Sequence, residues 1–396
     1  KIRKYIMKQI LIYLHKNSLK PIGGPLGYNY NLFCQLKNKG YTNIHFIESA
    51  NKADSINKKI NNIKINWLKQ VLIIAKSIYK KTVMLYGFKH KSIIDLSPYD
   101  IVHFHSTMDM FNAKDDLKNY KGKVVLTTHS PTLLSKEIYD RLSLFEKKYL
   151  SFLYKALINI DLYAFQRADY IIFPCEDAEE PYYHNWDGYA NYKQQNRTKY
   201  RYLLTGINPC YPQINKEDIR KKYNIPPSAF IICYVGRHNE IKGYDTLLQI
   251  GEMLLNKHDN IYILVAGKEE PMKGLAHPHW IEVGWTNDPY SLINACDIFL
   301  LPNKETYFDL VMLEVLSLGK IIVTSRTGGN KFFEKLEAKG IKMYNNSEEA
   351  ICKIEKIMAE PLHAREILEK SNQNIYQRYF TASTFTENYV KLINSL

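Results

Sequence analysis

Residues 297–330 read DIFLLPNKETYFDLVMLEVLSLGKIIVTSRTGGN. The apolar run Ile298 to Leu301 predicts a buried strand, and the polar stretch Asn303 to Asp309 a loop. Leu310 to Leu318 predicts a helix, and Ile321 to Thr324 a second strand followed by a Gly-Gly turn. Short apolar runs on either side of a helical one indicate a strand–helix–strand unit of a parallel sheet. Such sheets bind ligands at the carboxyl ends of their strands, where the helix amino terminus points. The unpaired N–H groups and positive dipole end of the Leu310 helix therefore face a position suited to phosphate. One turn inside lies Glu314, an acid in an apolar run. Alone, such a glutamate caps or pairs locally; the rest of the chain gives it another reading.

The chain has 396 residues, more than one ordinary core supports, and predicts two domains. Its hydrophobic content of 45% is enough to fill both. No apolar run approaches the roughly 18 residues that would span a bilayer, and no hydrophobic signal peptide stands near Lys1. Cys34, Cys175, Cys210, Cys233, Cys296 and Cys352 show no CxxC spacing. That suits a reducing, cytoplasmic setting, with Cys233 and Cys296 as small core residues. Charge is lopsided. Residues 1–206 carry 32 Lys+Arg against 17 Asp+Glu, whereas residues 207–396 carry 22 against 23. A confined basic excess suggests an anionic partner, lipid or nucleic acid; AT-rich coding would also produce many Lys, Asn, Ile and Tyr.

In chain order, a strand from Gln9 to Leu14 leads through Gly23 and Gly24 to a helix from about Gly27 to Lys39. Strand, glycine turn and helix is the arrangement in which backbone approaches a phosphate. Further strands are predicted at Ile44 to Glu48, Ile101 to His105, Val124 to Thr128, Tyr170 to Pro174 and Tyr202 to Leu204, giving a Rossmann-like half. Between them sits a lysine-rich insertion, residues 51–96. Leu68, Val71, Leu72, Ala75, Ile78 and Tyr79 share one helical face there, with Lys69, Lys76 and Lys80 on another. That helix either covers the sheet or rests on an anionic membrane. Thr205 to Pro212 reads as a linker. A second Rossmann-like half follows, with strands Phe230 to Val235, Ile261 to Ala266, Trp280 to Val283 and Ile341 to Tyr344 added to the opening unit. The expected domains are 1–206 and 207–380, with a terminal helix over 381–396.

Four segments in this order resemble the retaining glycosyltransferases of family 4. They are YVGRHNEIKGYDTLL, ILVAGKEE, IEVGWTNDPYSLINACDIFLLP and YFDLVMLEVLSLGKIIVTSRTGG. The resemblance covers about Phe230 to Asn330 most closely. It implies an α/β GT-B fold: two Rossmann-like domains facing across a cleft, the C-terminal helix crossing back to the N-terminal domain. A diphosphate leaving group must be stabilised, and fixed cations with helix amino termini can do that without a metal. Arg237 and Lys242 stand just past a strand end, where they could meet both phosphates. The N–H groups of Leu310 and Val311 would add donors, and Glu314 would accept from the ribose hydroxyls. Phe308 belongs to the same donor-binding segment. Trp285 and Thr286 take the place where the family contacts the base, although a tryptophan there could equally be a packing residue.

Two departures bear on the sugar. The family has a glutamate eight positions before the ribose-binding one, and here that position is Thr306, with Glu305 one residue earlier. Either Glu305 reaches the sugar or the Thr306 hydroxyl does. Asp309 stands where the family commonly has glycine, placing a carboxylate beside the sugar site. In the N-terminal half, Gly23 and Gly24 resemble the family's glycine loop. His129 matches the position whose imidazole contacts the sugar, with Ser130 in place of the usual aspartate. His103 and His105 end a neighbouring strand and are assigned to the acceptor side. No metal-ligand spacing accompanies these histidines.

The expected function is a metal-independent retaining glycosyltransferase using a nucleoside-diphosphate sugar, a UDP-sugar above others. Its acceptor would be a lipid-linked saccharide of bacterial surface polysaccharide or capsule synthesis. No cofactor is expected. The basic half would hold the enzyme peripherally on the inner face of the membrane, without nucleic acid. The alternatives are a GT-B-like epimerase or phosphorylase, or a non-catalytic nucleotide-sugar-binding protein.

Overall fold

Apolar runs rich in Ile, Val, Leu and Phe recur down the chain at the spacing of alternating strands and helices, and each half gathers them into one parallel sheet. The computed structural model describes residues 7–14, 19, 24–48, 75–76, 78–79, 94–130, 132–140, 142, 144–149 and 151–396. Among these, the N-terminal sheet has β1 (Ile10–Leu14), β2 (Ile44–Glu48), β3 (Ile101–Phe104), β4 (Lys123–Leu126), β5 (Tyr170–Phe173) and β6 (Tyr200–Tyr202), in the order β2-β1-β3-β4-β5-β6. The C-terminal sheet has β7 (Phe230–Val235), β8 (Ile261–Ala266), β9 (Trp280–Gly284), β10 (Ile298–Leu301), β11 (Ile321–Ser325) and β12 (Ile341–Tyr344), in the order β12-β11-β10-β7-β8-β9. The order reverses between β1 and β3 in one sheet and between β7 and β10 in the other. Those are the crevices in which such sheets bind ligands.

The opening unit is a strand, a loop, the helix Leu310–Ser317 and a strand, as its pattern predicts. The Gly-Gly turn is different: Gly328 and Gly329 open a 3₁₀ helix, Gly328–Leu336. Gly328 lies at φ 43, and a Cβ there would come within 2.0 Å of the Thr306 carbonyl. The sixth N-terminal strand also lies earlier than expected, Tyr200–Tyr202 in place of Tyr202 to Leu204. Cys233 and Cys296 are fully buried, as core residues should be.

The predicted linker is one of two crossings between the domains, and the crossings pair with each other. Ile207 N–H donates to the Phe380 carbonyl at 2.9 Å, and Ala382 N–H donates to the Ile207 carbonyl at 2.8 Å. Beyond them the helix Ala382–Ser395 begins at a Thr381 cap, whose hydroxyl accepts from Thr384 N–H at 3.1 Å. Its Phe385, Tyr389 and Ile393 pack with Ile10, Ile12, Tyr28 and Leu32 on one face of the N-terminal sheet. The terminal helix therefore belongs to the first domain. Gly23 and most of the insertion, Lys69 and Lys80 included, lie outside the described residues. Within the insertion, Lys76 and Tyr79 are helical, and Tyr79 is exposed. No described helix is long and apolar enough to cross a membrane.

Candidate functional site

Lys242 and Asp309 meet at the β7/β10 crevice. Gly236 to Gly243 leaves β7, and Gly243, at φ 65, lets the backbone pass so close to β10 that a Cβ would sit 1.7 Å from the Pro302 carbonyl. The Ile241 carbonyl accepts from Lys304 N–H at 3.0 Å and ties the two loops. Lys242 Nζ then donates to Asp309 Oδ2 at 2.5 Å, and Asn303 Nδ2 donates to the same oxygen at 2.6 Å. Burial pushes the Asp309 carboxyl up, but the Lys242 ammonium, Asn303 and the Val311 amide outweigh it and hold it below its usual range. A cation and a side-chain amide thus converge on an anion at the amino terminus of the Leu310 helix. Here the anion is the protein's own carboxylate.

Glu314 lies one turn further along the helix, half-buried. Burial pushes its carboxyl up to about 7, helped by the nearby Asp309 charge and opposed by the Tyr290 hydroxyl. Arg237 extends an exposed side chain that makes no hydrogen bond among the described residues, while its carbonyl accepts from Tyr234 at 2.8 Å. Trp285 is 76% exposed after β9 and is not a packing residue. Thr286 accepts from Asp288 N–H at 3.0 Å and starts the turn into the Tyr290 helix. Leu310 is buried and Val311 half-buried. The Phe308 ring packs against Phe333 and Phe380, which leaves only its backbone for a ligand.

Glu305 and Thr306 part company. Thr306 is buried, its carbonyl covered by Gly328. Glu305 is half-buried, and Asn185 of the N-terminal domain lies 3.4 Å from both its carboxylate oxygens. Of the pair, Glu305 is the one turned across the cleft. Tyr307, next in line, drives its ring into the first domain, where it lies 5.5 Å from Phe173 between centroids.

On the opposite wall, Gly24 sits at φ 74 before the helix Pro25–Asn38, and that helix carries Tyr28 against His129 and His105. His105 Nδ1 and His129 Nε2 are 2.7 Å apart with their rings nearly parallel. His129 adopts a left-handed φ of 54, held by Tyr182, whose hydroxyl donates to Thr128 Oγ1 at 2.6 Å. Burial pushes His129 down to about 3 and His105 well below its ordinary value, so both rings are neutral at pH 7. His103 differs from its neighbours. It is fully buried, with Nδ1 on the Tyr389 hydroxyl at 3.0 Å and Nε2 on Thr127 Oγ1 at 2.9 Å. Both nitrogens are satisfied under the terminal helix, and that placement removes His103 from the acceptor side.

Several residues at the cleft were not foreseen. Glu180 caps the Gly328 helix, accepting from Gly328 N–H at 3.1 Å, Thr327 Oγ1 at 3.3 Å and the Lys331 ammonium. Lys335 pairs with Asp177 at 2.8 Å. One signal was available: Glu176, Asp177, Glu179 and Glu180 form an acidic run, right after a strand, in an otherwise basic half. Among the described residues, no three His, Cys, Asp or Glu side chains converge as metal ligands would.

Comparison with known proteins gives this architecture a place. The model of glycosyltransferase family 4 matches residues 23–195, and that of the group 1 glycosyl transferases matches residues 215–378. The chain belongs to glycosyltransferase family 4. It is 26% identical over 205 residues to the O-antigen biosynthesis glycosyltransferase WclY of Escherichia coli, a match covering 49% of this chain and 55% of that one. Another E. coli relative, UDP-Gal:alpha-D-GlcNAc-diphosphoundecaprenol alpha-1,3-galactosyltransferase, is 26% identical over 142 residues, covering 33% and 36%. The chain spans about half the length of the first curated relatives it matches. Across 98% of this chain and all of the other, it superposes on Anabaena Alr3699/HepE in complex with UDP and glucose, with a TM-score of 0.62 and 15% identity. The family 4 fold here is GT-B.

Proposed function

We propose that this family 4 chain transfers a sugar from a UDP-sugar to a lipid-linked saccharide acceptor in bacterial surface polysaccharide assembly. In this reading the anomeric configuration is retained, no metal is needed, and the protein works peripherally on the inner face of the membrane. The observation that carries it is the convergence of Lys242 and Asn303 on one anion at the amino terminus of the Leu310 helix, with Glu314 a turn away. Relatives named for O-antigen synthesis and for a diphosphoundecaprenol-linked acceptor support the pathway, and the net positive charge of residues 1–206 supports the surface.

The donor's diphosphate takes the place of the Asp309 carboxylate, so that Lys242 and the helix amides neutralise the charge that grows as the sugar leaves. Arg237, exposed and unengaged, swings onto the same phosphates. Glu314 accepts from the ribose hydroxyls, and Trp285 covers the base. Neutral His129 hydrogen-bonds to the sugar from the opposite wall. The acceptor hydroxyl attacks from the face the diphosphate leaves, and the departing phosphate oxygen takes its proton. Closure of the cleft, marked by Tyr307 and the Glu180 cap, keeps water from competing.

The test is transfer itself. The protein is incubated with radiolabelled UDP-glucose, UDP-galactose or UDP-N-acetylglucosamine and a diphosphoundecaprenol-linked saccharide, with and without EDTA. An α-linked lipid product, unaffected by EDTA, is expected. UDP release as hydrolysis alone, or nucleotide binding without turnover, would replace this reading with the non-catalytic one.

A further inference from the structure

His105 and His129 stand just past the ends of the paired strands β3 and β4, and Nδ1 of the first meets Nε2 of the second at 2.7 Å. Burial pushes both rings down, His129 to about 3, so each holds a single ring proton at pH 7. A contact of that length between neutral imidazoles is a hydrogen bond in which one nitrogen donates and the other accepts. The ring that supplies the proton therefore decides what the far nitrogen of its partner can do.

The two far nitrogens have opposite surroundings. His105 is 7% exposed, and its Nε2 is sealed in the protein without a hydrogen-bond partner. His129 is half-buried; its Nδ1 makes no hydrogen bond among the described residues, yet it is not sealed. With one nitrogen on His129 and the other shut away, His105 has no atom left to offer an acceptor. That moves it off the acceptor side, where its strand-end position had placed it. His129 can still offer Nδ1.

The pair has two neutral arrangements. When His105 donates, its Nε2 is bare and His129 carries its proton on Nδ1. When His129 donates, His105 carries its proton on Nε2 and His129 Nδ1 is bare. Passing between them requires a proton to reach or leave His105 Nε2, and that atom has no hydrogen-bond partner to carry one. The surroundings also hold the rings in place. His105 lies 4.1 Å from His103 between centroids, and His103 is bonded at both nitrogens. Tyr28 packs edge-on against His129 at 4.5 Å.

We infer that His105 is a positioning residue: through Nδ1 it fixes the tautomer and orientation in which His129 presents its own Nδ1 to the donor sugar. The inference rests on the proposed function in making the sugar the group that His129 meets.

The test is long-range ¹H–¹⁵N spectroscopy of the histidine rings in the whole chain at pH 7, with His129→Gln to assign the His129 signals. One ring nitrogen of His129 should show the shift of a protonated nitrogen and the other that of a bare one. In His105→Leu the two shifts should move toward a common average as both tautomers become populated. Turnover of the UDP-sugar should fall at least about fivefold, the effect of one misplaced hydrogen bond, with the acceptor KM unchanged. His105→Asn, whose amide can meet Nε2, should recover most of the rate. His105→Phe keeps a ring without nitrogens and repeats the comparison where His105→Leu does not fold. Averaged His129 shifts in the native protein would overturn the assignment. So would shifts or turnover unaltered in His105→Leu or His105→Phe, or a loss confined to the acceptor KM. The spectra need no substrate, so they answer for His105 even where no transfer occurs.

Discussion

Asp309 lies at the amino terminus of the Leu310 helix with Lys242 and Asn303 on its carboxylate, and this sets what its neighbours can do. Lys242 neutralises Asp309, and in the proposed function it also neutralises the donor diphosphate. Lys242→Ala therefore strands a mostly buried carboxylate and should cost about 3 kcal/mol of stability as well as rate. The double variant Lys242→Ala with Asp309→Gly should recover the stability in urea titrations yet remain slow. Recovery of both would dismiss Lys242 from phosphate binding. Glu314 gives a prediction of opposite signs. Its carboxyl is raised from 4.5 to about 7 in the folded chain, so it draws stability away as pH rises through that range, with the full loss above it. Glu314→Gln should then stabilise the protein by up to about 3 kcal/mol at pH 8 and by nearly nothing at pH 4. The same variant should bind UDP-glucose more weakly. In the native protein that affinity should fall by up to about tenfold per pH unit below 7 as the carboxylate is lost. A pH-independent affinity between 5.5 and 8, measured by calorimetry, would take Glu314 off the ribose.

Strands and helices were legible because burial writes a periodicity into the chain. Ile298 to Leu301, Phe230 to Val235 and Ile261 to Ala266 begin and end where their apolar runs do. The connections were less legible, since a loop's course depends on what it touches. Gly328 and Gly329 look like a turn until Glu180, 148 positions earlier, is seen capping the 3₁₀ helix they open. Likewise Lys242 and Asp309 are 67 positions apart, and neither advertises the other. His103 and His105 are indistinguishable as strand-end residues. Only the terminal helix, by placing Tyr389 over His103, separates a satisfied histidine from one at the cleft. Gly243 is the backbone counterpart of these contacts. Its positive φ and its approach to Pro302 mean that Gly243→Ala must move either the Lys242 loop or the end of β10. Such a variant should lose several kcal/mol, on the order of the cost of strained backbone plus overpacking. Its donor KM should rise as Lys242 is displaced. Unchanged urea unfolding and KM would show that the close approach is dispensable.

At the scale of the whole molecule, the two domains touch on both sides of the cleft. On one side the crossings at Ile207 and Thr381 are bonded together. On the other, Tyr307 reaches the Ile172 carbonyl at 3.4 Å while Glu180 and Asp177 meet Lys331 and Lys335. The ionic contacts are accessible to solvent and individually weak, whereas the crossings are covalently tied. Opening should therefore swing about the crossings and break the charged side first. Glu180→Ala should leave thermal stability within about 1 kcal/mol but widen the cleft. Small-angle scattering would register the wider opening as a larger radius of gyration, and a radius identical to the native one would mean that other contacts keep the domains shut.

The interleaving of the last helix with the first sheet has a consequence for how the protein is made. Tyr389 and His103 are 286 positions apart, and Phe385 and Ile393 seal a layer whose other members, Ile10 and Ile12, leave the ribosome long before them. The leading domain thus emerges with an uncovered greasy flank and stays so until translation has passed through the entire trailing domain. The second half matures while the first waits for its lid, which reverses the usual head-to-tail schedule of synthesis.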